Sequence, residues 1–511
     1  MTQLYETANG ISRRAALKLG AAGAGALAVF GAMPARAKDA PIRVLLAPEP
    51  KIVPGQLRAG GSANVASCIY DWLFRLEGED QKFTPSLAER ADHDAEFKIW
   101  TIALRPGVFF HNGTELSADD LIFTMNRHND AAIGSPLKAV FTQIRTMEKV
   151  DKLTVRFVLA QPDPDFLLKF LDKNAAILVH DYDYAGQGDA KPCGTGPFTV
   201  EEYVPSQYMR LKRNPSYFVA GLPKADALEI LFVSDPQTQM LSLEAGQGDI
   251  VRTLPFDLVA KYQKQAAISV QRLACGYFTP ITMRCDQKPF DDVRVRRAMK
   301  LVVDRKQMLD NAAMGYGELA NDDYVWPGFP YHANLPVKQQ DIAQARRLLA
   351  EAGHPNGIDV EIVCESNRPP VRDVVLLYQQ MAQAAGIRVK VKAVSSDIFY
   401  AQYFMKATVV CESWGHREAL DLLAVSVRTG ATWNEGHYSN PELDRLIEEA
   451  TAEGDLEKRR ALFGRIQTIL SDDGPAVIPF FHNVFAASRA DVKGFLLTQN
   501  WINDYRFVTR G

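Results

Sequence analysis

The alternation of strand and helix patterns in the C-terminal half is the feature that most limits how this chain folds. Residues 359–363 form a short alternating run. A helical pattern over 371–385 follows, and a second alternating run covers 387–394. Strand, helix and strand of these lengths imply parallel pairing through a right-handed crossover. From about residue 289 onward the sequence therefore predicts an α/β lobe built on a largely parallel sheet.

The N-terminal half has a different texture, in which strand patterns alternate with turn residues. A strand is predicted over 42–46, a helix over 63–76, and Ser117 is predicted to cap a helix three residues before Asp120. Gly194-Thr195-Gly196-Pro197 is the sharpest turn signal and fits a crossing between subdomains. At 511 residues the chain is long enough for about three domain-sized units. Further predicted elements are strands over 97–104, 154–159, 407–412 and 476–481, and helices over 293–308, 341–352, 441–453 and 456–470.

The first 37 residues have the three parts of an export signal. Arg13 and Arg14 precede an apolar stretch over 19–33, and Ala35-Arg36-Ala37 forms a cleavage site. The apolar stretch is shorter than the ~20 residues that span a bilayer as a helix. Twin arginines and weak hydrophobicity favour the twin-arginine route. We expect a cleavable signal peptide over 1–37 and a periplasmic protein.

Charge and motif content argue against several classes of function. The 58 Lys and Arg residues nearly balance the 61 Asp and Glu residues, whereas nucleic-acid binders are usually clearly basic. The sequence has no GxSxG, HExxH or P-loop pattern. Residues 135–138 match SxxK but lack its companion boxes, so a periplasmic hydrolase is the weaker alternative. We expect no enzyme activity, no metal, no cofactor and no nucleic-acid partner.

Six cysteines are present, at positions without a CxxC or zinc spacing. Cys364 and Cys411 close strand-like apolar runs. An oxidising compartment permits a disulfide bridge. Buried free thiols that act as small hydrophobic residues are the preferred prediction.

Seven short motifs follow one another in a characteristic order. They are Ile69-Tyr70-Asp71-Trp72-Leu73-Phe74, the run 104–114, Ser117-Ala118-Asp119-Asp120, Gly194-Thr195-Gly196-Pro197-Phe198, the run 213–218, the run 289–299 and the run 348–353. None is specific alone. Their order and spacing resemble family 5 extracellular solute-binding proteins, the dipeptide, oligopeptide and nickel binders of ABC importers. The resemblance covers nearly all of the mature chain.

This resemblance implies a type II periplasmic binding protein fold of the α/β class. Two α/β lobes are joined by crossing strands, and lobe I carries an extra subdomain. The implied boundaries are 38–66, 193–283 and 483–511 for lobe I, 67–192 for the extra subdomain and 284–482 for lobe II. The solute is expected in the cleft, at loops that follow the strands.

Arg368 is the first candidate ligand residue, in the loop 366–370 after a predicted strand. By resemblance, dipeptide binders place an Arg in an equivalent Arg-Pro loop to hold the ligand carboxylate. The planar guanidinium suits two-point binding of an anion. The alternative is a surface arginine stiffened by the neighbouring prolines.

The second candidate loop contains Trp414, His416 and Arg417. The peptide binders resembled here carry an Asp three residues after the Trp, and that Asp accepts the peptide amino group. This chain has Arg417 there, so Glu418 or Asp421 would have to take that role. Together with Arg368, the loop predicts a cationic cleft, which favours an anionic or polyhydroxyl solute over a free-amine peptide.

Aromatic residues supply the remaining candidates. Trp433, Asn434 and Tyr438 fall in the next loop, where rings and an amide suit stacking and hydrogen bonding. Tyr277 and Phe278 lie at the expected crossing into lobe II. Core packing is the alternative role for both.

The predicted function is the periplasmic solute-binding component of an ABC importer. It would capture a peptide or peptide-like solute in the interlobe cleft and deliver it to an inner-membrane permease by cleft closure. The alternatives are an opine, a sugar phosphate or an oligosaccharide as solute, and a chaperone or chemoreceptor role. We expect a monomer.

Overall fold

The computed structural model describes residues 40–48, 51–57, 60–184, 190–366 and 370–511. The predicted signal peptide, residues 1–37, lies outside the described residues. Within the described ranges, no helix has the length and apolar character needed to cross a membrane.

An eight-stranded mixed sheet forms the first lobe. The strands run in the order β12-β19-β11-β1-β10-β9-β8, with β14 paired to β19. Strand β1 is parallel to β10 and β11, and the other pairings are antiparallel. The strands are β1 Ile42–Leu46, β8 Phe198–Val204, β9 Tyr208–Arg213, β10 Ala227–Phe232, β11 Ile250–Val251, β12 Ile268–Phe278, β14 Gly317–Leu319 and β19 Phe480–Arg489.

A five-stranded sheet forms the second lobe, in the order β16-β15-β17-β13-β18. Strand β15 is parallel to both β16 and β17, as the strand–helix–strand pattern predicts. Met299, Ile362 and Tyr378 are fully buried where helices pack on this sheet. The strands are β13 Ile281–Met283, β15 Ile358–Glu365, β16 Ile387–Val394, β17 Val409–Cys411 and β18 Ala476–Val477.

Among the described residues, two short connections join these sheets directly, and β14 returns the chain to the first sheet between β13 and β15. Strand β12 ends at Phe278 and β13 begins at Ile281 in the other sheet. Strand β18 ends at Val477, and β19 begins at Phe480 back in the first sheet. The sequence predicted one strand over 476–481, whereas the structure divides it at this crossing. The domain boundaries given above stay a prediction.

A third, antiparallel sheet has the order β4-β5-β7-β6, and β2-β3 and β20-β21 form two separate two-stranded sheets. These strands are β2 Phe74–Glu77, β3 Lys82–Pro85, β4 Ala88–His93, β5 Ile99–Leu104, β6 Ile144–Lys149, β7 Thr154–Leu159, β20 Val492–Lys493 and β21 Thr509–Arg510. The α-helices are Gly60–Ile69, Ala118–Asn129, Lys138–Phe141, Pro236–Glu244, Phe256–Tyr262, Val293–Leu301, Arg305–Ala312, Ile342–Glu351, Val371–Gln383, Ser396–Ile398, Ala419–Ser426, Pro441–Ala452 and Leu456–Asp472. A 3₁₀ segment covers Phe166–Leu171 and a π turn covers Phe399–Tyr403.

Two predicted helices end earlier than their periodicity suggests. The helix predicted over 63–76 ends at Ile69. Gly196 packs against this end of the helix, and its N–H donates to the Ile69 carbonyl at 2.9 Å. The helix predicted over 293–308 is divided, because the Asp304 carboxylate accepts from the Gln307 N–H and starts a new helix.

The predicted helix start at Ser117 is confirmed. The Asp120 carboxylate accepts from both the backbone N–H and the hydroxyl of Ser117. All six cysteines are free thiols and five of them are buried, as predicted.

Candidate functional site

A cavity of about 1530 Å³ lies between the two large sheets. Leu46, Arg252 and Tyr277 line it from the first sheet, each at or beyond the end of a strand. Glu365 and Glu412 line it from the ends of β15 and β17 in the second sheet. The cavity therefore occupies the position expected for a ligand in open α/β sheets, at the carboxyl ends of parallel strands.

Aromatic side chains cover much of the cavity wall. Trp414, Trp433, Tyr277 and Trp501 all line it. The Trp414 and Trp433 ring centroids are 5.9 Å apart at a steep angle, and those of Tyr277 and Trp501 are 5.0 Å apart. Such rings supply flat apolar contact area with little loss of side-chain entropy. The sequence pointed to three of these four residues, and Trp501 was missed because it lies in the C-terminal tail, where no pattern marks a site.

His416 lines the cavity but does not contribute positive charge. Its Nδ1 accepts the Gly276 N–H at 2.9 Å, and the ring packs against Trp326 and Phe329. Burial lowers the pKa of His416 to about 4, so the imidazole is neutral at pH 7. The expectation that His416 helps to make the cleft cationic is therefore wrong.

Arg417 also lines the cavity, but its charge is already paired. Its Nη1 donates to Asp172 Oδ2 at 2.6 Å, and both side chains are 11% exposed. The guanidinium also lies over the Trp433 ring, 5.3 Å from its centroid. Burial alone would raise the pKa of Asp172, but the charges of Arg417 and Lys173 and the hydrogen bonds from Asn174 offset this and hold it below its usual range. The position at which the family resemblance implied an amine acceptor is thus occupied by an internal ion pair.

Two further ion pairs flank this one. Lys169 Nζ donates to Asp421 at 2.9 Å, and Arg459 Nη1 donates to Asp165 at 2.7 Å. With Arg417 and Asp172, they join the segment around Phe166–Leu171 to two helices beyond β17. Asp421 is therefore engaged by a buried lysine, which removes it as a simple amine acceptor.

Carboxylates give part of the cavity wall an acidic character. Glu412 accepts from the Tyr400 hydroxyl at 3.0 Å, and Glu365 accepts from the Ser396 hydroxyl at 2.7 Å. Both carboxylates are buried and line the cavity. Glu418 also lines it, and burial raises its pKa to about 7. Among the described residues, this wall offers hydrogen-bond acceptors for N–H and O–H groups of a solute.

Arg252 is a cavity residue that the sequence reasoning missed. It follows the short strand β11 and is 2% exposed. Its Cζ lies 3.8 Å from the centroid of the Trp501 ring. Within the described residues, none of its three side-chain nitrogens has a hydrogen-bond partner. The available signal was its position directly after an apolar strand, by the same rule that selected Arg368.

Three predicted site residues do not line this cavity. Phe278 is fully buried and stacks at 6.2 Å on Trp414, to which it is also bridged through the backbone. Asn434 holds its own loop, because its side chain bonds the backbone N–H and carbonyl of Tyr438. The Tyr438 hydroxyl donates to Asp473 at 2.6 Å. Their roles in the structure are packing and loop shape, which was the alternative considered for Phe278.

Arg368 lies outside the described residues. The ligand-binding roles of Trp414, His416, Arg417, Trp433 and Tyr277 stay predictions. In the described part of the chain, no group of three or more His, Cys, Asp or Glu side chains is arranged to hold a metal ion.

The sequence matches the bacterial extracellular solute-binding proteins of family 5 over residues 82–419. Glutathione-binding protein GsiB of Escherichia coli strain K12 is 26% identical over 449 residues, which cover 85% of this chain and 87% of that protein. The GsiB protein of Pectobacterium atrosepticum is 27% identical over 456 residues, with the same coverage of 85% and 87%.

Solved structures show the same fold. The binding protein AgaA from A. tumefaciens R10, in complex with agropinic acid, aligns with a TM-score of 0.85 at 21% identity, over 92% of this chain and 99% of that chain. The periplasmic protein DppA from Helicobacter pylori, in complex with the peptide STSA, aligns with a TM-score of 0.84 at 22% identity, over 92% and 98%. Both likenesses establish the type II periplasmic binding protein fold, with its two α/β lobes. The family match, which spans more than half of the sequence, shows that this chain belongs to the bacterial extracellular solute-binding proteins of family 5.

Proposed function

We propose that this protein captures a peptide or peptide-like solute in the cavity between its lobes and delivers it to an ABC permease. The cavity carries the proposal, since it combines tryptophan rings, an acidic wall and an arginine within one enclosure. Its volume of about 1530 Å³ exceeds the roughly 300–1,000 Å³ usual for a drug-sized ligand. A solute of several residues, with bridging water, fits such a space.

The chemistry of the walls suits a molecule that carries both N–H donors and an anionic group. The carboxylates of Glu365 and Glu412 can accept from amide or ammonium groups. The Trp414 and Trp433 rings can stack on flat amide planes or on apolar side chains. The ligands of related proteins agree with this range, since they include glutathione for GsiB and a short peptide for DppA.

A second candidate solute is a carboxylate that is not a peptide, such as an opine. The Arg417–Asp172 pair favours it, because that pair occupies the position expected to receive a peptide amino group. The complex of AgaA with agropinic acid shows that the fold accommodates such a ligand in another protein.

Delivery by cleft closure follows from the architecture of two sheets joined by two short crossings. A solute that touches both lobes binds the closed form more tightly than the open form, and this difference drives closure. This proposal includes an inner-membrane permease as the partner, a monomeric state, a periplasmic location and export by the twin-arginine route. So does the absence of enzyme activity.

A thermal-shift screen of the mature chain tests the proposal. The panel holds di- and tripeptides, glutathione, opines, sugar phosphates, oligosaccharides and nickel chelates. A solute present at a hundred times its Kd adds about 2.7 kcal/mol to the free energy of unfolding, which is readily seen. We expect a peptide-like or opine solute to stabilise the protein and to be recovered unchanged. Chemical turnover of a panel member would contradict the binding-protein assignment, and stabilisation by oligosaccharides alone would contradict the solute class.

A further inference from the structure

Arg252 lies in the cavity wall with a charge that the described residues leave uncompensated. All three of its side-chain nitrogens are buried and lack a hydrogen-bond partner within the described ranges. Burying a charged group without a partner costs several kcal/mol, so proteins rarely retain one without a use. The other arginine on the described cavity wall, Arg417, is neutralised by Asp172. Arg252 is thus the guanidinium on this wall that has donors to offer.

Trp501 fixes the direction from which a ligand can reach Arg252. The Trp501 ring covers one face of the guanidinium at 3.8 Å from Cζ. The Trp501 backbone has a φ of 66°, which a bulky side chain rarely adopts, so the surrounding structure holds the ring in this place. Tyr277 also packs against Trp501, with ring centroids 5.0 Å apart. Trp501 closes that face, and an acceptor binds a guanidinium in its plane, along the N–H edge.

His482 adds a second polar atom on the same part of the wall. Its Nε2 is buried without a partner in the described residues, and the side chain lines the cavity. Its Nδ1 lies 3.1 Å from the Asn483 carbonyl, which fixes the proton on Nδ1 and leaves Nε2 as an acceptor. The His482 and Tyr277 ring centroids are 6.0 Å apart, so Tyr277 packs against both Trp501 and His482. This part of the cavity offers a fork of donors and an acceptor.

We propose that Arg252 and Trp501 form the subsite that binds the carboxylate of the solute. A carboxylate matches the N–H edge of a guanidinium through two parallel hydrogen bonds. One uncompensated guanidinium balances a single negative charge. A phosphate dianion would leave excess negative charge in a cavity that Glu365 and Glu412 also line. The His482 Nε2 accepts an N–H or O–H group near that carboxylate. This proposal rests on the proposed function, because it assigns one end of the same solute.

The test compares the wild-type chain with Arg252→Gln and Arg252→Lys. Arg284→Gln is the matched control, because Arg284 pairs with Asp286 at 2.6 Å and is not part of the cavity wall. The probes are a pool of di- and tripeptides and one opine, each as the free acid and as the matched carboxamide, and glucose 6-phosphate. Thermal shift identifies the probes that bind, and calorimetry gives their Kd. Circular dichroism checks that each variant is folded.

We expect free acids to bind the wild type and Arg284→Gln alike, and to lose at least about 30-fold in affinity for Arg252→Gln. Arg252→Lys should lose less, and the carboxamides should not distinguish Arg252→Gln from the wild type. Equal affinity of a free acid for wild type and Arg252→Gln would overturn the subsite and leave the proposed function intact. So would equal binding of acid and carboxamide. Binding of glucose 6-phosphate alone would overturn the subsite and also contradict the proposed function. Failure of every peptide and opine to bind the wild type would contradict the proposed function, and the subsite with it.

Discussion

The ion pair between Arg417 and Asp172 separates two accounts of the site most sharply. The sequence suggested that Arg417 binds the solute, whereas the structure uses its charge to hold a cavity loop to the segment after Phe166–Leu171. We consider Arg417→Gln, Asp172→Asn and the double variant. If the pair is structural, each single change leaves one buried charge without its partner and lowers the free energy of unfolding. The double change removes both charges and recovers part of that lost stability.

The magnitude follows from the geometry. Two unit charges about 4 Å apart attract by about 4 kcal/mol at an effective dielectric constant of 20. After Arg417→Gln, the Asp172 carboxylate still accepts from the Asn174 backbone N–H at 2.8 Å. We therefore expect a loss near 2–3 kcal/mol, at or below the low end of the 3–5 kcal/mol seen for broken buried pairs. Asp172→Asn leaves the guanidinium with the Trp433 ring, 5.3 Å away, and should cost about the same. The coupling energy of the cycle should be about 1.5–3 kcal/mol.

Urea unfolding of the mature chain, followed by both circular dichroism and fluorescence, measures these differences. The two probes must coincide, because a two-lobed protein need not unfold in one step. Arg428→Gln is the control, since Arg428 and Glu448 form an exposed pair and should contribute less than about 1 kcal/mol. Losses that add within about 0.5 kcal/mol would refute the structural role. A tenfold loss of affinity in Arg417→Gln for free acids but not for carboxamides would return Arg417 to the ligand.

Three further results are expected. Burial raises the pKa of Asp323 to about 7, above its unfolded value near 3.8, so its stabilising contribution is complete at low pH and is lost as pH rises toward 7. Asp323→Asn should therefore flatten that part of a curve of unfolding free energy against pH by up to about 1.4 kcal/mol per pH unit. An unchanged slope would contradict this. A Cβ at Gly276 would lie 2.9 Å from the Trp326 Cβ, so Gly276→Ala should destabilise the protein by about 1–3 kcal/mol and weaken solute binding. A Cβ at Gly464, on a helix, would lie 3.4 Å from its nearest neighbour, so Gly464→Ala should be neutral or stabilising by calorimetry. A larger loss of stability for Gly464→Ala than for Gly276→Ala would count against the packing described. The six thiols are free, and burial raises the pKa of all of them, that of Cys275 to about 12. A thiol reagent at pH 8 should therefore react slowly with the native protein and should titrate six thiols after denaturation. Fewer than six would reveal a disulfide.

Much of the fold could be predicted because strong periodic patterns and cap residues act locally. The parallel pairing of β15 with β16 and the Ser117 helix start follow from such signals. The early end of the helix at Ile69 does not, because Gly196, which packs against it, is more than a hundred residues away. Sequence periodicity carries no information on that contact.

The site was less predictable, for a related reason. Loops after strands were the correct places to search, and they yielded Trp414, His416 and Arg417 on the cavity wall. The charge that this loop offers to a solute depends on the rest of the fold, since Asp172 pairs with Arg417 and burial keeps His416 neutral. An ionisable residue in a loop next to the cleft therefore does not by itself show that the cleft is charged.

A crystal structure of the mature chain with the tightest-binding solute of the panel tests the central claim most directly. We predict one solute molecule in the cavity between the two sheets, in contact with Trp414 and Trp433, with its carboxylate on the N–H edge of Arg252. A solute bound outside this cavity, or a filled cavity in which no solute atom approaches either lobe's strand ends, would contradict the account.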